Sequence, residues 1–152
     1  MEKKSILIVD DDETVLKPIE EILTLQGYST DTAKTGKEAI EKSKFKSYNL
    51  VLIDIRLPDM EGTKLLTALR DTTPAMVKII ITGYPSLENA AEAANKDADG
   101  YLVKPAKIED ILIMVKDRLK KQEEEEKYSE QKVKEFIETR AKQYAARASQ
   151  KR

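Results

Sequence analysis

The chain has 152 residues, a formal net charge of −1 and 36% charged side chains, with neither cysteine nor histidine. That length suits one ordinary domain that buries enough surface to need no covalent or metal staple. The composition excludes disulfides, zinc sites of the usual ligand types and histidine-based catalytic triads, and the near-neutral charge argues against direct nucleic-acid binding.

The charge is unevenly placed. Residues 120–152 hold ten Lys/Arg and seven Glu, a net of +3, which leaves −4 for the first 119, and no Gly or Pro follows Pro105. This shift marks a boundary near residue 119 and divides the chain into a domain over 1–119 and a charged helical extension over 120–152.

Up to that boundary two periodicities alternate. A β-branched run at 6–9 leads to Asp10-Asp11-Asp12, and Val15, Ile19, Ile22 and Leu23 then form an apolar stripe closed by Gly27, a residue suited to a helix C-terminus. Asp12 is placed to cap that helix, and Pro18 removes one of its backbone bonds. A strand at 28–33 precedes a second helix near Gly36 with Ala39, Ile40 and Phe45 on its stripe. The strand at 50–53 ends at Asp54, and Leu65, Leu66 and Leu69 mark a third helix after Gly62. The strand at 77–82 ends in Thr82, an Ala-rich segment at 87–94 is the fourth helix, and a strand at 101–103 ends in Lys104-Pro105. Ile108, Ile111, Leu112, Val115 and Leu119 form the fifth stripe.

Five strands alternating with five helices predict a doubly wound α/β fold, a parallel sheet covered on both faces. The longest apolar runs have strand length, so no membrane span is expected, and the N-terminus has no signal-peptide core. The cytoplasm is the expected compartment.

Open parallel sheets bind ligands beyond the carboxyl ends of their strands. Asp10, Asp11, Asp54, Thr82 and Lys104 all fall there. An isolated strand-end Asp is ordinarily a cap or turn former, but independent coincidences on one sheet edge are a poor explanation for all five. Crowded carboxylates need a cation or proton to relieve them. Mg²⁺ suits such a site because it takes one or two carboxylates together with phosphate oxygens. Lys104 and Thr82 are then placed for the oxygens of a transferred phosphoryl group, and a carboxylate can itself accept that group.

Four segments carry a family resemblance: Ile-Leu-Ile-Val-Asp-Asp-Asp at 6–12, Leu-Val-Leu-Ile-Asp-Ile-Arg-Leu-Pro-Asp-Met-Glu-Gly at 50–62, Ile-Ile-Ile-Thr-Gly-Tyr at 79–84 and Asp-Gly-Tyr-Leu-Val-Lys-Pro at 99–105. Over residues 4–119 the sequence resembles the receiver domain of two-component response regulators. The resemblance implies a flavodoxin-like strand order of 2-1-3-4-5. It implies a phosphoacceptor at Asp54, with Mg²⁺ held by Asp10, Asp11, Asp54 and the backbone carbonyl of Arg56. It further implies that Thr82 and Lys104 bind the phosphoryl oxygens, that Thr82 and Tyr101 form the switch, and that the Lys104–Pro105 bond is cis. The implied phosphodonor is a sensor histidine kinase or phosphotransfer protein. The domain would catalyse only its own phosphorylation and dephosphorylation, and its output face would be helix four, strand five and helix five. Arg56 and Tyr84 would flank the path of the hydrolytic water and make the phosphorylated form long-lived. Glu61 and the segment 95–100 depart mildly from the family pattern, away from the site.

Asp10-Asp11-Asp12-Glu13-Thr14 also matches the Asp-x-Asp-x-Thr motif of haloacid-dehalogenase-type phosphatases, with Asp10 as nucleophile and Asp12 as general acid/base. Against this, Pro105 and Ala106 stand where that family places a late acidic pair, no cap-sized insert is present, and Asp54 is left without a role.

The extension favours helix throughout, and Glu123/Lys127, Glu130/Lys134 and Glu138/Lys142 are i,i+4 pairs in the favourable order. Val133, Ile137, Ala141, Tyr144 and Ala148 recur on one face, with Phe136 and Ala145 beside them. About two heptads are short for an isolated coiled coil; the face could pair with a second copy, fold back or dock on a partner, and the output face offers a second route to a homodimer. No DNA-binding or catalytic output domain fits in so few residues, and a stand-alone regulator is the expectation.

Overall fold

The computed structural model describes residues 3–83, 86–95 and 98–150. Strands β1 (Ser5–Val9), β2 (Ser29–Ala33), β3 (Leu50–Asp54), β4 (Val77–Thr82) and β5 (Gly100–Val103) alternate with helices α1 (Glu13–Leu25), α2 (Gly36–Phe45), α3 (Gly62–Thr72), α4 (Leu87–Asn95) and α5 (Ile108–Gln150). The strands form one sheet in the order β2-β1-β3-β4-β5, and every neighbouring pair is parallel.

The three central strands explain why the sheet is covered twice. Every residue of β3 and β4 is buried, as are Ile6 to Val9 of β1. Successive side chains point to opposite faces. Leu7, Val9, Val51, Ile53 and Ile80 therefore join one apolar cluster with residues of α2, α3 and α4. Ile6, Ile8, Leu50, Leu52 and Ile79 join another with α1 and the first turns of α5. Each buried Ile or Leu contributes about 1.5–3 kcal/mol by leaving water.

The caps follow local chemistry. Asp12 accepts a hydrogen bond from the Thr14 amide at 3.0 Å at the start of α1, and Gly27 takes φ +95° just beyond its end. Among the described residues, Phe45, Leu16 and Ile108 differ from the periodic reading, Ile108 being 42% exposed at the first turn of α5. Phe45 is 90% exposed, because it ends α2 where the chain leaves for β3, whereas Leu16 is buried beside Ile19 and Leu23. Lys78 lies inside the β4 run with 2% exposure. Its long stem is buried, and its ammonium donates to the Met76 and Thr73 carbonyls at 2.8 and 3.2 Å.

The contacts divide the chain into two compact units, residues 1–119 and 120–152. In the second, residues 123–149 are helical and exposed.

Candidate functional site

Register decides which residues meet. Val9 pairs with Ile53, Asp54 with Ile81, and Thr82 with Val103. The residues at or just past these positions, Asp10, Asp54, Thr82 and Lys104, therefore share one edge of the sheet although they are far apart in the chain.

Asp10 is 4% exposed and Asp54 8%. One Asp10 carboxylate oxygen accepts from the Asp12 amide at 2.9 Å, which fixes the turn into α1. The other accepts from the Lys104 ammonium at 2.7 Å, and the same ammonium lies 3.5 Å from Asp54 Oδ2. Asp11 is exposed. Asp10, Asp11 and Asp54 each present a carboxylate oxygen within 4.8 Å of the others. Thr82 is fully buried, and its carbonyl accepts from the Lys104 amide at 2.7 Å. The Lys104–Pro105 peptide is cis.

The β3–α3 loop is held against Asp54 by its backbone. The Gly62 amide donates to the Ile55 carbonyl at 2.6 Å. A Cβ on Gly62 would lie 2.5 Å from the Asp54 carbonyl oxygen and 2.7 Å from Ile55 Cα, so only glycine lets the loop approach this closely. The Arg56 amide reaches Asp54 Oδ1 at 3.4 Å, and its side chain is exposed.

Electrostatics follow from burial and proximity. Burial, then the charge of Asp10, pushes the Asp54 carboxyl above the usual carboxylate range against the opposing pull of Lys104. Burial draws the Lys104 ammonium down, but its hydrogen bond and attraction to Asp10, together with Asp54, outweigh that and hold it above the usual lysine range. The donor set fits a hard divalent cation: three clustered carboxylate oxygens, one of them on an exposed side chain that leaves a way in.

Tyr101 lies on β5, partly buried against the cluster containing Ile80 and Ala93. Its hydroxyl is buried and has no hydrogen-bond partner among the described residues. Tyr84, expected beside the water path, lies outside the described residues. Beside Lys104 an apolar groove of about 460 Å³ runs between α1 and the start of α5, lined in part by Val15, Pro18, Ile19, Pro105 and Ile108. Sequence patterning did not disclose this groove, because its walls come from both ends of the domain.

An open parallel sheet with clustered aspartates, a buried threonine and a lysine at its carboxyl edge defines the phosphoacceptor class of signalling domains. Residues 6–116 match the response regulator receiver domain, and the chain belongs to that family. It is 33% identical over 118 residues to the transcriptional regulatory protein ZraR of Klebsiella oxytoca, which covers 78% of this chain and 27% of that protein. Among solved structures, a CheY-like receiver domain protein of Methanospirillum hungatei superposes with a TM-score of 0.80 at 44% identity, covering 82% of this chain and 99% of the other. The beryllofluoride-activated NtrC4 receiver domain dimer superposes with a TM-score of 0.75 at 33% identity, covering 78% and 98%. The chain spans about a quarter to a half of the length of the curated relatives it matches. No helix among the described residues is long and apolar enough to cross a membrane.

Proposed function

We propose that residues 1–119 are a receiver that takes a phosphoryl group onto Asp54, with 120–152 as a helical extension. The phosphodonor is a sensor histidine kinase or phosphotransfer protein in the cytoplasm. The observation that carries this reading is the clustering of Asp10, Asp11 and Asp54 with Lys104 between Asp10 and Asp54. Three carboxylates against one ammonium leave the rim anionic, so the dianionic acyl phosphate formed on Asp54 needs a bound divalent cation beside Lys104 to offset its charge.

In the proposed step an Asp54 carboxylate oxygen forms a bond to phosphorus while the bond from phosphorus to the donor's imidazole nitrogen breaks, and the imidazole leaves with the electron pair. Lys104 neutralises charge on one phosphoryl oxygen, and the Thr82 hydroxyl donates to another. Asp10, Asp11, Asp54 and the Arg56 carbonyl would hold Mg²⁺, which when bound supplies a positive charge against the equatorial oxygens. The apolar groove that reaches Lys104, whose ammonium lies 3.5 Å from Asp54, offers the donor protein a surface to dock on.

The switch follows from the same geometry. When Thr82 turns to the phosphoryl group, the inward packing of the Tyr101 ring is favoured, a two-state element biased by one charge. Its readout is the face formed by α4, β5 and α5, which is one route to a homodimer. The tail helix is the other.

The test is incubation with acetyl phosphate and Mg²⁺, followed by mass-spectrometric mapping of acid-labile phosphate. Label on Asp54 that disappears with a chelator is expected. Label on Asp10 would overturn the reading and favour the phosphatase alternative. For the switch, amide exchange with and without beryllofluoride should differ most over residues 84–104, and uniform exchange there would refute it.

A further inference from the structure

The tail helix carries a pattern that the receiver function leaves unused. Residues 123–138 hold seven Glu and three Lys, whereas 139–152 hold five Lys/Arg and no acid. Val133, Ile137 and Tyr144 are 58%, 60% and 78% exposed. They do not stand alone on their face. Stepping by sevens through Val133 gives Glu126, Arg140 and Arg147, and stepping by sevens through Ile137 gives Glu123, Glu130 and Tyr144. Offset by four residues, the two series form the seam of a heptad repeat. That seam is acidic at its start, apolar at its centre and basic at its end.

The charges select an orientation. A parallel pair would set Glu130 against the partner's Glu130 and Arg140 against the partner's Arg140. An antiparallel pair with Val133 on the partner's Ile137 sets Glu130 on the partner's Arg140. It also sets Glu123 on the partner's Arg147. Two-fold symmetry doubles each of these contacts. At one flank Phe136 meets the partner's Phe136, and at the other Lys134 meets the partner's Lys134, a single like-charged contact. We infer that residues 123–147 pair with a second copy of this chain as an antiparallel two-helix coiled coil. This takes the tail route to a homodimer and does not depend on phosphorylation at Asp54. With a short apolar centre, the association is reversible and salt-sensitive.

The experiment is sedimentation equilibrium on the full chain, with helix content checked by circular dichroism. Glu130→Arg alone and Arg140→Glu alone should each weaken the dimer about tenfold or more, since each places like charges together twice. The double variant Glu130→Arg with Arg140→Glu should restore association, because the swap re-creates the opposite pairs only when the helices run antiparallel. A monomer up to about 1 mM, or a double variant as weak as the single ones, overturns the proposal. The absence of native cysteines allows a second check. Ser129→Cys mixed with Gln143→Cys should give a heterodisulfide, and neither variant should cross-link to itself. Self-linking of Tyr144→Cys, a seam position that faces its own copy only when the helices run parallel, would establish the parallel pair instead. Asp54→Asn should leave the dimer unchanged, so loss of labelling and loss of association are read separately.

Discussion

The carboxyl edge of the sheet and the tail helix are both crowded with charge, and they hold it in opposite ways. At the edge, Asp10 and Asp54 are almost wholly buried and share one ammonium. In the tail, ion pairs such as Lys127 with Glu123 at 3.5 Å sit on a helix whose residues 123–149 are all exposed. Water screens the second kind to a few tenths of a kcal/mol per pair. Burial amplifies the first kind, since an uncompensated charge there has no solvent to relieve it. Charge at the sheet edge is therefore strongly coupled to its neighbours, whereas charge in the tail is screened by water.

The largest expected contrast is chemical. Asp54→Asn should abolish phosphate uptake, while truncation after Leu119 should leave it intact, because the core stripe of α5 ends at Leu119. Mass-spectrometric labelling of the two proteins checks both outcomes. A truncated protein that cannot be labelled would erase the distinction.

The next contrast is energetic and uses one residue type in both places. Ile53→Ala empties a fully buried site and should cost about 2–5 kcal/mol in urea unfolding. Ile137→Ala in the tail should change monomer stability by less than about 0.5 kcal/mol.

Gly62→Ala sits between these. The added methyl meets the Asp54 carbonyl and Ile55 Cα, so the loop must shift, at about 1–3 kcal/mol, and labelling of Asp54 should slow. Unchanged stability and rate would mean that the loop does not position the acceptor.

Dephosphorylation should respond more mildly. Replacing the side chains expected to flank the water path, Arg56→Asn with Tyr84→Glu, should speed decay of the phosphorylated form about tenfold, or about 1.4 kcal/mol of barrier. Decay followed by radiolabel loss in the two proteins decides it.

The smallest effect is a pH signature of metal-free protein. Because burial and Asp10 hold the folded Asp54 carboxyl above its usual range, ionising it weakens the fold, and this penalty grows as pH rises through the carboxylate range. Asp54→Asn removes the penalty, while Asp10, Asp11 and Lys104 remain around it. Its melting temperature should therefore gain on the wild type as pH rises from about 3 to about 7. A constant gap would show that Asp54 carries no such strain.

Much of the fold was legible because its signals are local. Alternation of apolar strands with stripes spaced three and four apart placed every strand within a residue or two, and Gly27 marked the end of α1, whereas α5 runs as one helix to Gln150, past the end of its apolar stripe at Leu119. Phe45 misled for a physical reason: it is apolar and in phase with its helix, yet it ends α2 at the surface. Lys78 was invisible in the opposite sense, since a charged residue inside a buried strand is accepted only where backbone carbonyls stand at the end of its stem.

The sequence by itself determined the order of elements and the residue types at every strand end, since these depend on spacing along one chain. It also determined the segregation of acid and base in the tail. Only the tertiary structure decided that Lys104 bridges Asp10 and Asp54, that Asp54 is pushed toward protonation, that the Tyr101 hydroxyl is buried and that Gly62 must be bare. Each of those depends on distances between strands set by register and on the exclusion of water by two layers of helices, quantities that no local pattern encodes.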